Sequence, residues 1–151
     1  MNKPLYERDV FAWTQAQAEA LSRRSLNEID WDNLIEEVLS LGRAQRSELT
    51  SRLSVLLCHL MKWTVQANHR SRSWALTILE QRRQIARNLR DNPSLKTYID
   101  AIMIDASEAA IFTAVRETGL RMADFETLPQ ITFDEALSGP VAEFERWEDL
   151  G

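Results

Sequence analysis

Apolar residues recur every three or four positions along most of this chain, and no stretch alternates with period two. That spacing is the mark of amphipathic helices rather than strands. Val10, Trp13, Gln17 and Leu21 share one face of a first predicted helix. Asp9 stands where its carboxylate can accept from the leading amides, and Arg23 and Arg24 stand where cations suit the C-terminal end. Asp30-Trp31-Asp32-Asn33 signals a second start, followed by the stripe Leu34, Ile35, Val38 and Leu41. The stripe resumes beyond Gly42 as Gln45, Leu49, Leu53, Leu56, Leu57, Leu60 and Trp63. The pattern predicts a helix over 32–41 and a longer one over 43–68, collinear with a kink at Gly42 or broken there. Glycine inside a helix costs about 1 kcal/mol, and close packing of another helix would be a reason for it.

Farther on, Ser71 or Ser73 can cap a helix whose face is Trp74, Ile78, Ile85 and Leu89. Asn92-Pro93 opens the next, with Pro93 at its first position and the stripe Leu95, Ile99, Ile102, Ala106, Ala109 and Thr113. Thr118-Gly119-Leu120 reads as its end, Gly119 supplying the left-handed residue. Thr132-Phe133-Asp134-Glu135 fits a capping box opening a short helix to about Ser138. Val141 to Trp147 reads as a last short helix or as an acidic tail held down by Phe144 and Trp147. The predicted fold is all-α: a single-domain helical bundle of about five main helices with short C-terminal helices, residues 124–151 forming an acidic appendage packed on the bundle.

Composition narrows this further. A length of 151 residues suits one hydrophobic core, and 4 Gly and 4 Pro are too few for a many-stranded β fold. The single Cys cannot form an intramolecular disulfide, which favours a reducing compartment. No apolar run approaches the roughly 18 residues of a membrane span, and the first residues carry no signal-peptide core. A cytoplasmic protein with no membrane contact is the expectation. The net charge of -5 is a remainder. Residues 1–42 hold 4 basic and 8 acidic residues, residues 43–96 hold 11 and 3, and residues 124–151 hold 1 and 8. Acidic ends folding back on a basic centre is the plain expectation; a polyanion-binding face is the alternative.

An ordered series of residues then carries a family resemblance. It runs Tyr6-Glu7-x-Asp9 with Trp13, Gln17 and Leu21, then Asn33-Leu34-x-Glu36-Glu37-Val38 and Leu41-Gly42. It continues as His59-Leu60-Met61-Lys62-Trp63 with Gln66 and Arg70, Arg72-Ser73-Trp74 with Thr77-Ile78 and Gln81-Arg82, Pro93-Ser94-Leu95, and Glu117-Thr118-Gly119-Leu120. In this series the chain resembles the bacterial domain of unknown function 29 family, from Tyr6 to about Leu137. Ala67 stands where that family usually has Pro. The resemblance implies an all-helical fold and transfers no catalytic residues.

The polar residues with the most to say lie in the hairpin from Leu53 to Arg90. His59, Lys62, Trp63, Gln66 and Arg70 fall on one face of its first helix, and Ser73, Thr77, Gln81 and Gln84 on one face of its second. With Arg72 and Arg82 alongside, and Glu36, Glu37 and Glu117 as possible counter-charges, these make one candidate polar cluster. Such a cluster is either a hydrogen-bonded network that sets helix register or a ligand site. In the second case Lys62, Arg70 and Arg72 would hold an anion, with Glu37 and His59 as acid–base groups. No metal site is expected, because neither histidine has a glutamate three residues before it. No phosphate-cradling glycine loop and no cofactor are implied. Trp13, Trp31, Trp63 and Trp74 occupy stripe positions and are expected in the core. The leading functional expectation is a non-enzymatic, adaptor-like helical protein with a protein partner. A small-ligand binder or enzyme using His59, Lys62, Arg70 and Arg72 is the first alternative. Nucleic-acid binding through residues 43–96 is the less favoured one.

Overall fold

The computed structural model describes residues 2–147, and over these the chain is helical with no strand. Seven α-helices are present: α1 (Leu5–Arg8), α2 (Val10–Ser22), α3 (Trp31–Val65), α4 (Arg72–Asp91), α5 (Ile99–Thr118), α6 (Met122–Glu126) and α7 (Phe133–Ser138). Four 3₁₀ segments join or follow them: Leu26–Glu28, Ala67–His69, Pro93–Tyr98 and Phe144–Trp147. Contacts sort the chain into two compact units, Met1–Ala44 and Gln45–Gly151, with the boundary inside α3.

Helix α3 is 35 residues long and continuous through Gly42. Of the two outcomes expected there, the helix is not broken, because the hydrogen-bond ladder passes through a single glycine at tolerable cost. Nor does another helix press on it: a Cβ at Gly42 would meet nothing within 4 Å.

In the first unit, Asp9 caps α2 by accepting from the Ala12 amide at 2.9 Å. The buried face of α2 is Trp13, Gln17 and Ala20, joined by Ile29. Val10 and Leu21, expected on that face, are exposed, since Ala20 rather than Leu21 completes the 13–17–20 spacing. Three hydrogen bonds converge on Asp30. Its carboxylate accepts from Trp13 Nε1 at 3.0 Å and Asn33 Nδ2 at 2.8 Å, and its amide donates to Gln17 Oε1 at 2.7 Å. The bonds from Asn33 and then Trp13 hold the Asp30 carboxyl below its ordinary pKa. Tyr6 packs edge-on against Trp13 with ring centroids 4.9 Å apart and donates its hydroxyl to Glu37.

The second unit holds the main core. Leu49, Leu53, Leu56, Leu57, Leu60 and Trp63 of α3 meet Ala75, Ile78, Ile85 and Leu89 of α4 and Ile102 of α5 within it. Ser71 caps α4 by accepting from the Trp74 amide. Asn92 Nδ2 donates to Gln45 Oε1 and Arg52 donates to Gln81 Oε1, so α4 runs antiparallel to the later part of α3. The Asn92 side chain makes no capping bond to the segment after it; Pro93–Tyr98 is a 3₁₀ turn and α5 begins only at Ile99. The buried line of α5 is Ile102, Ala106, Ala110 and Ala114, where the stripe anticipated Ala109 and Thr113. Steps of four turn the line by about 40° each, so it winds around the helix. Three alanines in it leave room for neighbouring helices at close range. Gly119 ends α5 at φ 72°, and both halves of the Thr132–Glu135 capping box open α7. The tryptophans divide: Trp13 and Trp63 are buried, Trp74 is half-buried, and Trp31, expected in the core, is 48% exposed.

Candidate functional site

The polar residues singled out from sequence do not come together as one cluster. Glu36 and Glu37 belong to the first unit, and their partners are there too. Arg43 Nη2 lies 2.5 Å from Glu36, and Glu37 accepts from Tyr6. The remaining residues belong to the second unit and form two clusters and a scatter.

The first cluster joins α3, α4 and α5. Lys62 is a buried ammonium, 5% exposed at its side chain, and its Nζ lies 2.5 Å from Glu117 Oε2. The same nitrogen sits 4.7 Å from the centroid of the Trp74 ring, so a carboxylate and a π face both stabilise a cation removed from water. His59 stands edge-on to Trp74 at 6.4 Å, and its Nδ1 hydrogen-bonds to the Val55 carbonyl at 2.8 Å. Burial lowers the His59 pKa, and its bond to Val55 only partly opposes this. The hydrogen bond from Lys62 lowers that of Glu117. Cys58 is buried beside them, and burial pushes its thiol up to about 11, which makes it inert as a nucleophile near neutral pH.

The second cluster fastens the C-terminal segment. Trp63 Nε1 donates to the Ala142 carbonyl at 2.8 Å, and the indole is flanked by Phe144 at 5.5 Å and Trp147 at 6.4 Å. The Arg70 guanidinium lies 5.3 Å from the Trp63 centroid, donates to the Trp63 carbonyl and pairs with Glu143 at 3.1 Å. Arg82 donates to the carbonyls of Ala136 at 2.9 Å and Gly139 at 2.8 Å, closing the C-terminal end of α7. A concavity of about 380 Å³ lies between these groups, lined by Leu60, Trp63, Arg82, Ile131, Pro140 and Val141 among others. Gln66 precedes the turn at Ala67–His69 and accepts the His69 amide on its carbonyl. Arg72 and Ser73 are exposed at the start of α4, Thr77 donates back to the Ser73 carbonyl, and Gln81 is engaged by Arg52. Among the described residues, no three of His, Cys, Asp or Glu are grouped to hold a metal ion.

A further concavity was not singled out from sequence. Within the first unit a concavity of about 430 Å³ is lined by Trp13, Ala18 and Leu21 of α2 and by Leu34, Val38 and Leu41 of α3. Glu37 and Gln17 contribute its polar edge. Leu21, Val38 and Leu41 of its lining are exposed. Of the fifteen large hydrophobic residues exposed among the described residues, nine fall between Val10 and Leu41. The signal was present in the sequence as apolar positions all around the start of α3, more than one buried face requires.

Compared with known proteins, residues 5–140 match the family model described as Domain of unknown function DUF29. No curated protein and no solved structure matches the chain.

Proposed function

The chain belongs to the domain of unknown function DUF29 family, and from that premise we propose that it is a non-enzymatic helical interaction protein whose docking site is the apolar concavity of its first unit. One observation carries this reading: a concavity between α2 and α3 whose apolar lining includes the exposed Leu21, Val38 and Leu41, in a segment that holds nine of the fifteen exposed large hydrophobic residues among those described. Monomeric surfaces rarely expose contiguous apolar patches of more than a few hundred Å² without a binding role. A groove between helices is the usual seat of an amphipathic helix, which lays its apolar face along it. The partner is assigned by charge. Residues 1–42 carry 8 acidic against 4 basic residues, and Glu37 lies at the groove edge. The occupant is therefore a protein segment forming an amphipathic helix with basic residues on its flanks.

The ligand-site reading of His59, Lys62, Arg70 and Arg72 has less support. Lys62 and Arg70 already pair with Glu117 and Glu143, and Arg72 stands apart at a helix start. The nucleic-acid reading asks for a row of open cations along α4. Arg83, Arg87 and Arg90 are exposed, whereas Arg82 is turned to the carbonyls of α7.

Fluorescence anisotropy tests the docking site with three labelled peptides: a basic amphipathic helix, an acidic one with the same apolar face, and a scrambled one. The basic peptide is expected to bind in the micromolar range, and Leu41→Asp, at a residue 70% exposed, is expected to abolish binding without unfolding the chain. Equal binding of all three peptides, or binding indifferent to Leu41→Asp, overturns the proposal.

A further inference from the structure

Residues 141–147 cover the central tryptophan of the second unit without being buried themselves. None of the seven is buried, and their only regular structure is the 3₁₀ turn Phe144–Trp147. Beneath them Trp63 is almost wholly shielded. Glu143 takes a φ of 56°, a left-handed backbone that residues with a side chain rarely adopt. Its carboxylate is shared between Arg70 and Arg146 of the segment itself, the latter at 3.6 Å. The family match ends at residue 140, so the segment lies outside it, whereas Trp63 and Arg70 lie inside.

The groups that receive the segment are held in place without it. Arg70 donates through Nε to the Trp63 carbonyl and lies against the Trp63 ring, and its side chain is 14% exposed. Its partner Glu143 is 51% exposed. The second unit therefore presents an indole N–H, an aromatic face and a guanidinium, already oriented for a ligand. The segment meets them with the Ala142 carbonyl, the Glu143 carboxylate and the rings of Phe144 and Trp147. It meets them incompletely, because the concavity of about 380 Å³ beside Val141 and Ala142 stays unfilled.

We propose that the surface of Trp63 and Arg70, with the concavity beside it, is a docking site for a short acidic and aromatic segment of a partner protein, and that residues 141–147 occupy it as a tethered competitor. The tethered occupant shows the chemistry of the partner segment: a carbonyl for the indole N–H, an adjacent acid for Arg70, and aromatic rings following. A tethered segment competes at an effective concentration in the millimolar range, so the partner displaces it by filling the space that Val141 and Ala142 leave. The charge required is opposite to that of the basic helix assigned to the first unit, so the two sites select different segments.

Fluorescence anisotropy with a labelled peptide of residues 140–147 tests this on the full chain. Phe144→Ala with Trp147→Ala removes the rings of the tethered segment, and Glu143→Arg is the gentler variant, changing one half-exposed side chain. Both are expected to keep the helix content of the unaltered chain by circular dichroism. The double variant should bind the peptide at least about tenfold more tightly than the unaltered chain, and Glu143→Arg several-fold more tightly, because the internal competitor is weakened. Adding Arg70→Gln to the double variant should remove most of that gain, and a peptide carrying Glu143→Arg should bind the double variant about tenfold more weakly. Loss of helix in both variants shows the segment to be part of the core rather than an occupant, and overturns the proposal. Peptide binding to the opened chains that is absent, or no tighter than to the unaltered chain, overturns it too. So does binding indifferent to Arg70→Gln or to the charge reversal in the peptide. Leu41→Asp is expected to leave this binding unchanged, so the two docking proposals fail separately.

Discussion

At the residue scale the most consequential group is Lys62. An ammonium 5% exposed must be compensated locally, and Glu117 and the Trp74 face do this from two other helices. Glu117→Gln keeps the shape and removes the counter-charge. Because Glu117 is about half exposed, solvent takes over part of its role, and the expected loss is about 1–2 kcal/mol rather than the several expected of a fully buried pair. Chemical denaturation of the variant measures it, and an unchanged midpoint would show the pair to be idle. Acid acts on the same cluster in two steps. His59 ordinarily titrates near 6.5 and burial lowers its pKa, so the folded state binds its proton later than the unfolded state does. Its contribution is complete above that value and is lost as pH falls below it. Glu117, shifted down from 4.5, adds a second loss below about that value. Denaturation midpoints measured from about pH 7.5 to 5 should fall in the unaltered chain and fall less in His59→Gln; equal slopes would assign the titration elsewhere. Trp63, 1% exposed, is the ring whose truncation should hurt most: Trp63→Ala is expected to cost about 3–5 kcal/mol, and Trp74→Ala less, because that ring is only partly buried.

At the element scale, helix position was legible wherever a cap and a stripe agreed. Asp9, Ser71, Gly119 and the Thr132–Glu135 box all stand where local chemistry put them. What the spacing could not supply was which of two neighbouring lines would be buried, as with Ala109 against Ala110, because that depends on how a partner helix crosses. The short helices α1 and α6 have too few residues for a periodic signal. Gly42 misled because a glycine in a helix has the same composition whether or not the helix breaks. Its lone cost is conformational, and Gly42→Ala should raise stability by about 0.5–1 kcal/mol, since the new methyl meets nothing within 4 Å. A thermal shift downward would place a steric neighbour there. The opposite response is expected at Ala110, which is 0% exposed: Ala110→Leu should cost about 1–3 kcal/mol by overfilling a tight contact.

At the scale of the whole molecule, the two units differ in how much they bury. The first keeps Trp13, Gln17, Ala20 and Ile29 from solvent; the second gathers a core of nineteen buried residues. Local opening should follow that difference. Hydrogen exchange followed by mass spectrometry should therefore release the amides of α2 well before those of α4 and α5, and uniform protection would contradict it. The candidate cluster was legible as a set of residues and not as an arrangement. Polar spacing placed His59, Lys62 and Trp63 correctly on α3, yet Lys62 and Trp63 turn to different partners, Glu117 and Ala142, that lie far along the chain. Distances of that kind are set by tertiary packing, which no local pattern encodes.

The bond from Trp63 to Ala142 joins residues 79 apart in sequence. The Trp63 N–H thus finds its acceptor in a segment well beyond α3 and α4 in sequence. The segment around Ala142 therefore completes the setting of that ring, and a copy cut short before Ala142 is expected to keep its long helices while leaving the Trp63 N–H without that acceptor. Such a fragment should resemble the finished protein in helix content and differ from it in the fluorescence of one buried ring.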